Sequence, residues 1–210
     1  MKTQLAAIAL ATLLSQAAAA ATIVNGSFED TSPMGAFDTL TAPSSALPGW
    51  TVNTGSVDFI GSYWQAAAGN NSLDMAGNAL GSISQTITGL TAGVRYMVTF
   101  AMSGNPDGRD GAKSMLVSAG NMLNGTYEYI VGPVNERGVM KWEYMQYFFT
   151  ASERSEVLTF SALTTLNTQG VYGPALDDIS IAAVPLPASA PLILAGLGAL
   201  AALRRRRNRA

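Results

Sequence analysis

The chain has 210 residues, of which 48% are hydrophobic and 12% charged. That is enough apolar material for one sizeable core and too much for a solvated disordered chain. Histidine and cysteine are both absent, which excludes disulfides, Cys/His zinc sites, a cysteine nucleophile and any Ser-His-Asp triad. All 14 acidic residues lie between positions 22 and 183, against 6 basic ones, a balance of −8. A nucleic-acid binder carries the opposite sign.

Residues 1–21 read as a secretory signal peptide. Lys2 is the positive start, 5–14 a ten-residue apolar stretch, and Ala19, Ala20 and Ala21 fit small-residue cleavage. Residues 22–183 lack a long helical period and show short alternating runs. In 82–87, Ile83, Gln85 and Ile87 share one side. In 94–100, Val94, Tyr96, Val98 and Phe100 share one face. Runs 114–119, 141–150 and 156–161 read the same way, with 22–28, 51–60, 72–75 and 178–182 as weaker strands. The 141–150 run is apolar on both faces, which predicts burial on both. Gly-rich connections at 88–93 and 104–111 carry turn residues. Eight to ten such strands predict an all-β domain, a β-sandwich or jelly roll.

The C-terminal segment, 184–210, has three parts. Val184, Pro185, Leu186, Pro187 and Ala188 form a motif, 192–203 is apolar, and Arg204, Arg205, Arg206, Arg207 and Arg209 follow. As a helix the apolar part spans about 18 Å at ~1.5 Å per residue, short of the ~30 Å hydrocarbon core. The basic cluster would hold its end in the cytoplasm. The alternative is an ordinary short C-terminal anchor helix.

This tail resembles the VPLPA-type, PEP-CTERM-like sorting signals of Gram-negative bacteria. The resemblance implies export, processing by an exosortase-type membrane protease, and membrane contact through the tail before processing. A second resemblance covers the middle. Asn25-Gly-Ser-Phe-Glu29, Leu47-Pro-Gly-Trp50, Gly55-Ser-Val-Asp-Phe-Ile60, Gly69-Asn-Asn-Ser-Leu-Asp74, Gly81-Ser-Ile-Ser-Gln-Thr-Ile87, Gly104-Asn-Pro-Asp-Gly108 and Leu176-Asp-Asp-Ile179 occur in this order. The order resembles the choice-of-anchor C family and, more distantly, plant cell-wall DUF642 proteins. Both resemblances imply a galactose-binding-like jelly roll, an architecture of many carbohydrate-binding modules.

The resemblance also implies a structural Ca²⁺ site, with a glutamate of the first strand meeting an aspartate of the last. Glu29 and Asp177 or Asp178 hold those positions. The other reading is a turn cap at 177–178 with Glu29 solvated. For the 104–111 loop, a plain turn is favoured over an ion site, because Asp107 and Asp110 are three apart.

Sugar sites combine flat rings with polar side chains. Tyr63 and Trp64, followed by Asn70 and Asn71, form the best exposed platform, with burial in the core as the alternative, and Tyr172 in a loop between glycines is able to line a pocket. Trp50 and Trp142 read as core. Fourteen carboxylates always permit some pair, so a histidine-free glycosidase is the third reading and the domain is expected to be non-catalytic. The first expectation is an exported module binding carbohydrate or exopolysaccharide at the cell surface or in its matrix. The second is a structural matrix or biofilm protein acting by self-association.

Overall fold

The computed structural model describes residues 20–108, 111–120, 124–165 and 172–185. The signal-peptide stretch up to residue 19 lies outside them, as do Leu186, Pro187, Ala188 and the rest of the tail. Val184 and Pro185 close the described chain, and the Val184 N–H donates to the Arg95 carbonyl at 2.8 Å. Among the described residues, no helix is long and apolar enough to cross a membrane.

Two antiparallel sheets make a sandwich, as the alternating runs predict. The six-stranded sheet runs β1 (Phe37–Thr41), β3 (Ser56–Ile60), β4 (Ser72–Asp74), β11 (Pro174–Ala183), β6 (Arg95–Gly104), β9 (Glu143–Thr150). The five-stranded sheet runs β2 (Thr51–Thr54), β5 (Ser82–Ile87), β10 (Glu156–Thr165), β7 (Gly111–Ala119), β8 (Gly125–Val131). Pro106–Gly108 forms one helical turn in the loop read as a turn.

The core lies between the sheets. Val57, Leu73, Val98, Phe100 and Leu176 face Val52, Ile83, Met115, Val117 and Phe160 across it. The Phe100 and Phe160 rings meet edge to face, with centroids 5.2 Å apart. Gln85, on the inward side with Ile83 and Ile87, is buried because its amide is fully engaged. It accepts from the Val24 N–H and donates to the Val24 and Gly49 carbonyls.

Three expectations are corrected. Residues 22–28 form no strand: Thr22 makes a single bridge to Thr88 and 24–28 bend and turn, with Asn25 at φ 51° and Phe28 at φ 60°. The Asn25 side chain there accepts from the Asp30 N–H and donates to the Pro48 carbonyl. The single strand expected over 51–60 breaks at Gly55, which has φ +58°. A Cβ there would sit 2.0 Å from the Leu80 carbonyl oxygen. The chain turns a corner at this glycine, so β2 and β3 join different sheets. The 143–150 strand is not buried on both faces. It is an edge strand, and Tyr144 and Phe148 are 58% and 40% exposed.

Candidate functional site

Alternation places Ser56, Asp58 and Ile60 on the face of the six-stranded sheet that points away from the core. In register across the sheet, Thr39 lies opposite Asp58, and Asp58 opposite Asp74. Phe37 likewise lies opposite Ile60. Loops fold over one end of this outer face. Trp64, Met140 and Ala175 pack with Ile60 in a second small cluster, with Tyr63 and Trp142 against it.

Two clefts open beside these loops. The larger, ≈ 630 Å³, is lined by Ser32, Ser62, Trp64, Gln65, Gly69 and Asn70 among others. The smaller, ≈ 290 Å³, is lined by Phe37, Thr39, Asp58, Tyr63, Asn105 and Tyr172, with Ile60, Trp64, Gly77 and Asn78. Trp64 borders both.

Each wall of the smaller cleft is held by neighbours. The Phe37 and Tyr63 rings meet edge to face at 5.2 Å. The Tyr63 hydroxyl donates to Asp107 Oδ2 at 2.7 Å, and Arg137 Nη2 donates to that same hydroxyl at 2.6 Å. Burial works to raise the Asp107 carboxyl, but the Arg137 and Tyr63 bonds outweigh it and hold it low. The Ser56 hydroxyl oxygen accepts from the Asn78 and Ala79 N–H groups, which fixes the turn carrying Asn78. Asn105 donates to Asp74 Oδ2 at 2.7 Å, and the Tyr172 carbonyl accepts from Lys113 Nζ at 2.9 Å.

Beneath the floor lies a buried charged layer. Asp74 is 1% exposed, and burial pushes its carboxyl up to about 7, against bonds from Asn105, Ala76 and Gly173 that hold it down. Burial also raises Asp58, with the Thr39 hydroxyl opposing. Lys113 is lowered by burial and partly restored by Asp74.

The structure brings Tyr63, Trp64 and Tyr172 to one cleft and places Asn70 at its neighbour. Two of the expected ligand residues turn inward. Trp64 is only 4% exposed, because its ring packs in the small cluster and its Nε1 donates to the Ser72 hydroxyl at 2.8 Å. It is a wall, not an exposed platform. Asn71 is buried, and its amide donates to the Phe28 and Thr31 carbonyls. Phe37, Thr39, Asp58, Asn78 and Asn105 were missed. The one local signal was an aspartate at the outward position of an otherwise apolar strand, between Val57 and Phe59.

The carboxylates expected to hold calcium also act on a loop. Glu29 Oε1 accepts from the Asn70 and Asn71 N–H groups at 2.8 and 2.6 Å. Asp177 Oδ2 accepts from the Ala67 and Ala68 N–H groups at 2.8 and 2.9 Å. Asp177 Oδ1 accepts from the Asp178 N–H. Burial pushes Asp177 up to about 7 against these amides. Asp178 turns aside to accept from the Tyr144 hydroxyl at 2.7 Å. Among the described residues, no three acidic side chains converge. Glu29 Oε1 and Asp177 Oδ2 thus each receive two amide N–H groups, and the two carboxylates hold the 67–71 loop. Gly69 is required in the clamp: it has φ +68°, and a Cβ would lie 2.5 Å from the Glu29 carboxyl carbon.

Residues 21–182 match the family described as "Protein of unknown function (DUF642)". Halomucin of Haloquadratum walsbyi (strain DSM 16790 / HBSQ001) is 36% identical over 177 residues, 81% of this chain and 2% of that protein. The chain thus spans a small fraction of that relative's length. Among solved structures, TmCBM61 in complex with β-1,4-galactotriose is 19% identical with a TM-score of 0.43, covering 76% of this chain and 96% of that one. The CBM22-1 xylan-binding domain of Paenibacillus barcinonensis Xyn10C is 16% identical with a TM-score of 0.42, covering 75% and 100%. Likenesses this distant carry no argument about a ligand. The family match spans most of the chain, and the protein belongs to the DUF642 family.

Proposed function

We propose that this protein is a non-catalytic carbohydrate-binding module that works outside the cell. The observation that carries the reading is the ≈ 290 Å³ cleft, where Phe37, Tyr63 and Tyr172 stand beside Thr39, Asp58, Asn78 and Asn105. Rings pack against sugar C–H faces, and carboxylate and amide groups bond hydroxyls. The described carboxylates support a non-catalytic role. Hydrolysis of a glycosidic bond uses two that flank the bond. Of the paired Asp58 and Asp74, only Asp58 lines the cleft, while both Asp74 oxygens are engaged beneath it.

Export by cleavage near residue 21, and sorting of the 184–210 tail by an exosortase-type protease, complete the proposal. They rest on the sequence of the two ends and on the resemblance of the tail to VPLPA-type, PEP-CTERM-like sorting signals. A self-associating matrix role has one observation in its favour: the edge strands β8 and β9 expose Ile130, Tyr144 and Phe148.

Affinity electrophoresis of the full chain in gels containing neutral or acidic polysaccharides tests the reading. Retardation by at least one polymer, abolished by Phe37→Ala, is expected. Free migration in every gel would sink the carbohydrate reading, and concentration-dependent sedimentation in its place would favour the matrix role.

A further inference from the structure

The charges around the smaller cleft are unevenly disposed. Asp58 lines it and accepts one hydrogen bond, from the Thr39 hydroxyl to Oδ1 at 2.6 Å. Among the described residues, Asp58 Oδ2 has no partner, and neither does the exposed Asn78 side chain. Two nearby cations among the described residues are engaged elsewhere. Arg137 is paired with Asp107 at 2.8 Å and lies over Tyr63. Lys113 is 1% exposed, with its ammonium on the Tyr172 carbonyl. Among the described residues, no cation lines the cleft. Asp74 stands opposite Asp58 on the next strand and adds negative charge whenever it is ionised.

We infer that this cleft selects an uncharged sugar unit, through hydroxyl groups donated to Asp58 and Asn78, and rejects uronic-acid polymers. The inference rests on the carbohydrate reading above and names the substrate class of that site. A carboxylate has paired acceptor lone pairs and suits two adjacent hydroxyl donors. The same carboxylate repels a uronate, and no described cation in the cleft offsets that repulsion.

The test uses matched polymers: polygalacturonate, alginate and hyaluronate, each beside its carboxyl-reduced form, with neutral galactan and xylan. Each is measured by affinity electrophoresis with the full chain. Any polymer retained should be a neutral one, bound more tightly than its acidic counterpart by on the order of ten-fold. Asp58→Asn should narrow that gap to about three-fold or less, since it removes the charge and keeps the shape. Should that variant be unstable, the wild-type chain at low and high salt gives a second reading, because charge exclusion shrinks as ionic strength rises. Retention of a uronate more tightly than its reduced form, lost in Phe37→Ala, would overturn this inference and leave the carbohydrate reading standing. So would a gap that neither Asp58→Asn nor salt changes. Retention of nothing would overturn both.

Discussion

The guanidinium carbon of Arg137 lies 4.0 Å from the centre of the Tyr63 ring, while Nη2 of the same side chain donates to the Tyr63 hydroxyl at 2.6 Å. One cation thus grips both the face and the tip of a cleft wall. It also bonds Asp107, so the 132–142 loop, Tyr63 and the 106–108 turn are tied at one point. The pair is half exposed, so its worth to global stability is small, about 1 kcal/mol or less.

Arg137→Ala should therefore change binding more than folding. The expected result is a glycan affinity lower by roughly three- to ten-fold, the equivalent of about 1 kcal/mol. The melting temperature should move by less than about 4 °C. Calorimetric titration and a thermal melt on the same preparation check both. A large drop in melting temperature would make Arg137 structural and not a positioning residue.

The loop clamp gives the opposite pattern. Asn71 donates to two carbonyls, Phe28 and Thr31, from a site 2% exposed. Asn71→Ala leaves both acceptors without that donor and should destabilise the fold by about 2 kcal/mol or more. That corresponds to several degrees in a thermal melt. Glycan affinity, measured below the melting range, should change little. A lost affinity with an unchanged melt would return Asn71 to the ligand site.

Stability should fall as pH rises through the acidic range. Asp74 and Asp177 are both pushed from 3.8 up to about 7 by burial. The folded state then keeps protons that the unfolded chain has lost, so it binds more of them between those values. Stability from these groups is fully present below about 3.8 and is lost as pH climbs to about 7. Asp107 and Glu156, held low by their hydrogen bonds, act with the other sign at the acidic end. The melting temperature should accordingly be higher near pH 5 than near pH 8. Asp74→Asn keeps an oxygen for the Ala76 and Gly173 N–H groups and should flatten part of that slope. A melting temperature that rises steadily from pH 5 to 8 would refute the account.

Calcium offers a sharp check on the carboxylate clamp. With Glu29 and Asp177 engaged by amide N–H groups, chelator and added Ca²⁺ should leave the melting temperature unchanged. A ligand bound only to the native state would raise it with concentration. A rise of several degrees with Ca²⁺, absent in Glu29→Gln, would place an ion at this clamp and mean that the amides give way to it.

Alternation in the sequence identified most strands that build the core, though not β8, which contributes Tyr129 and Val131. Ile83, Gln85 and Ile87, or Val98 and Phe100, are inward because period-two spacing forces neighbours to opposite faces. The same local logic made the domain all-β. It could not show that Gly55 sends β2 and β3 into different sheets, since that depends on the Leu80 backbone crossing close behind it. Nor could it show that Trp64 and Asn71 turn inward. Their burial is decided by Ser72, Ala175, Met140, Phe28 and Thr31, most of them far away in sequence.

The cleft is a tertiary product throughout. Phe37, Asp58, Tyr63, Asn78, Asn105 and Tyr172 come from separate strands and turns. Strand pairing sets Thr39 beside Asp58, and loops close over one end of the sheet. Period-two spacing says that Asp58 and Tyr144 leave the core. Only the folded chain decides that Asp58 meets a walled cleft while Tyr144, on the same outer face, stays 58% exposed, because loop placement is fixed by long-range contacts and not by local pattern.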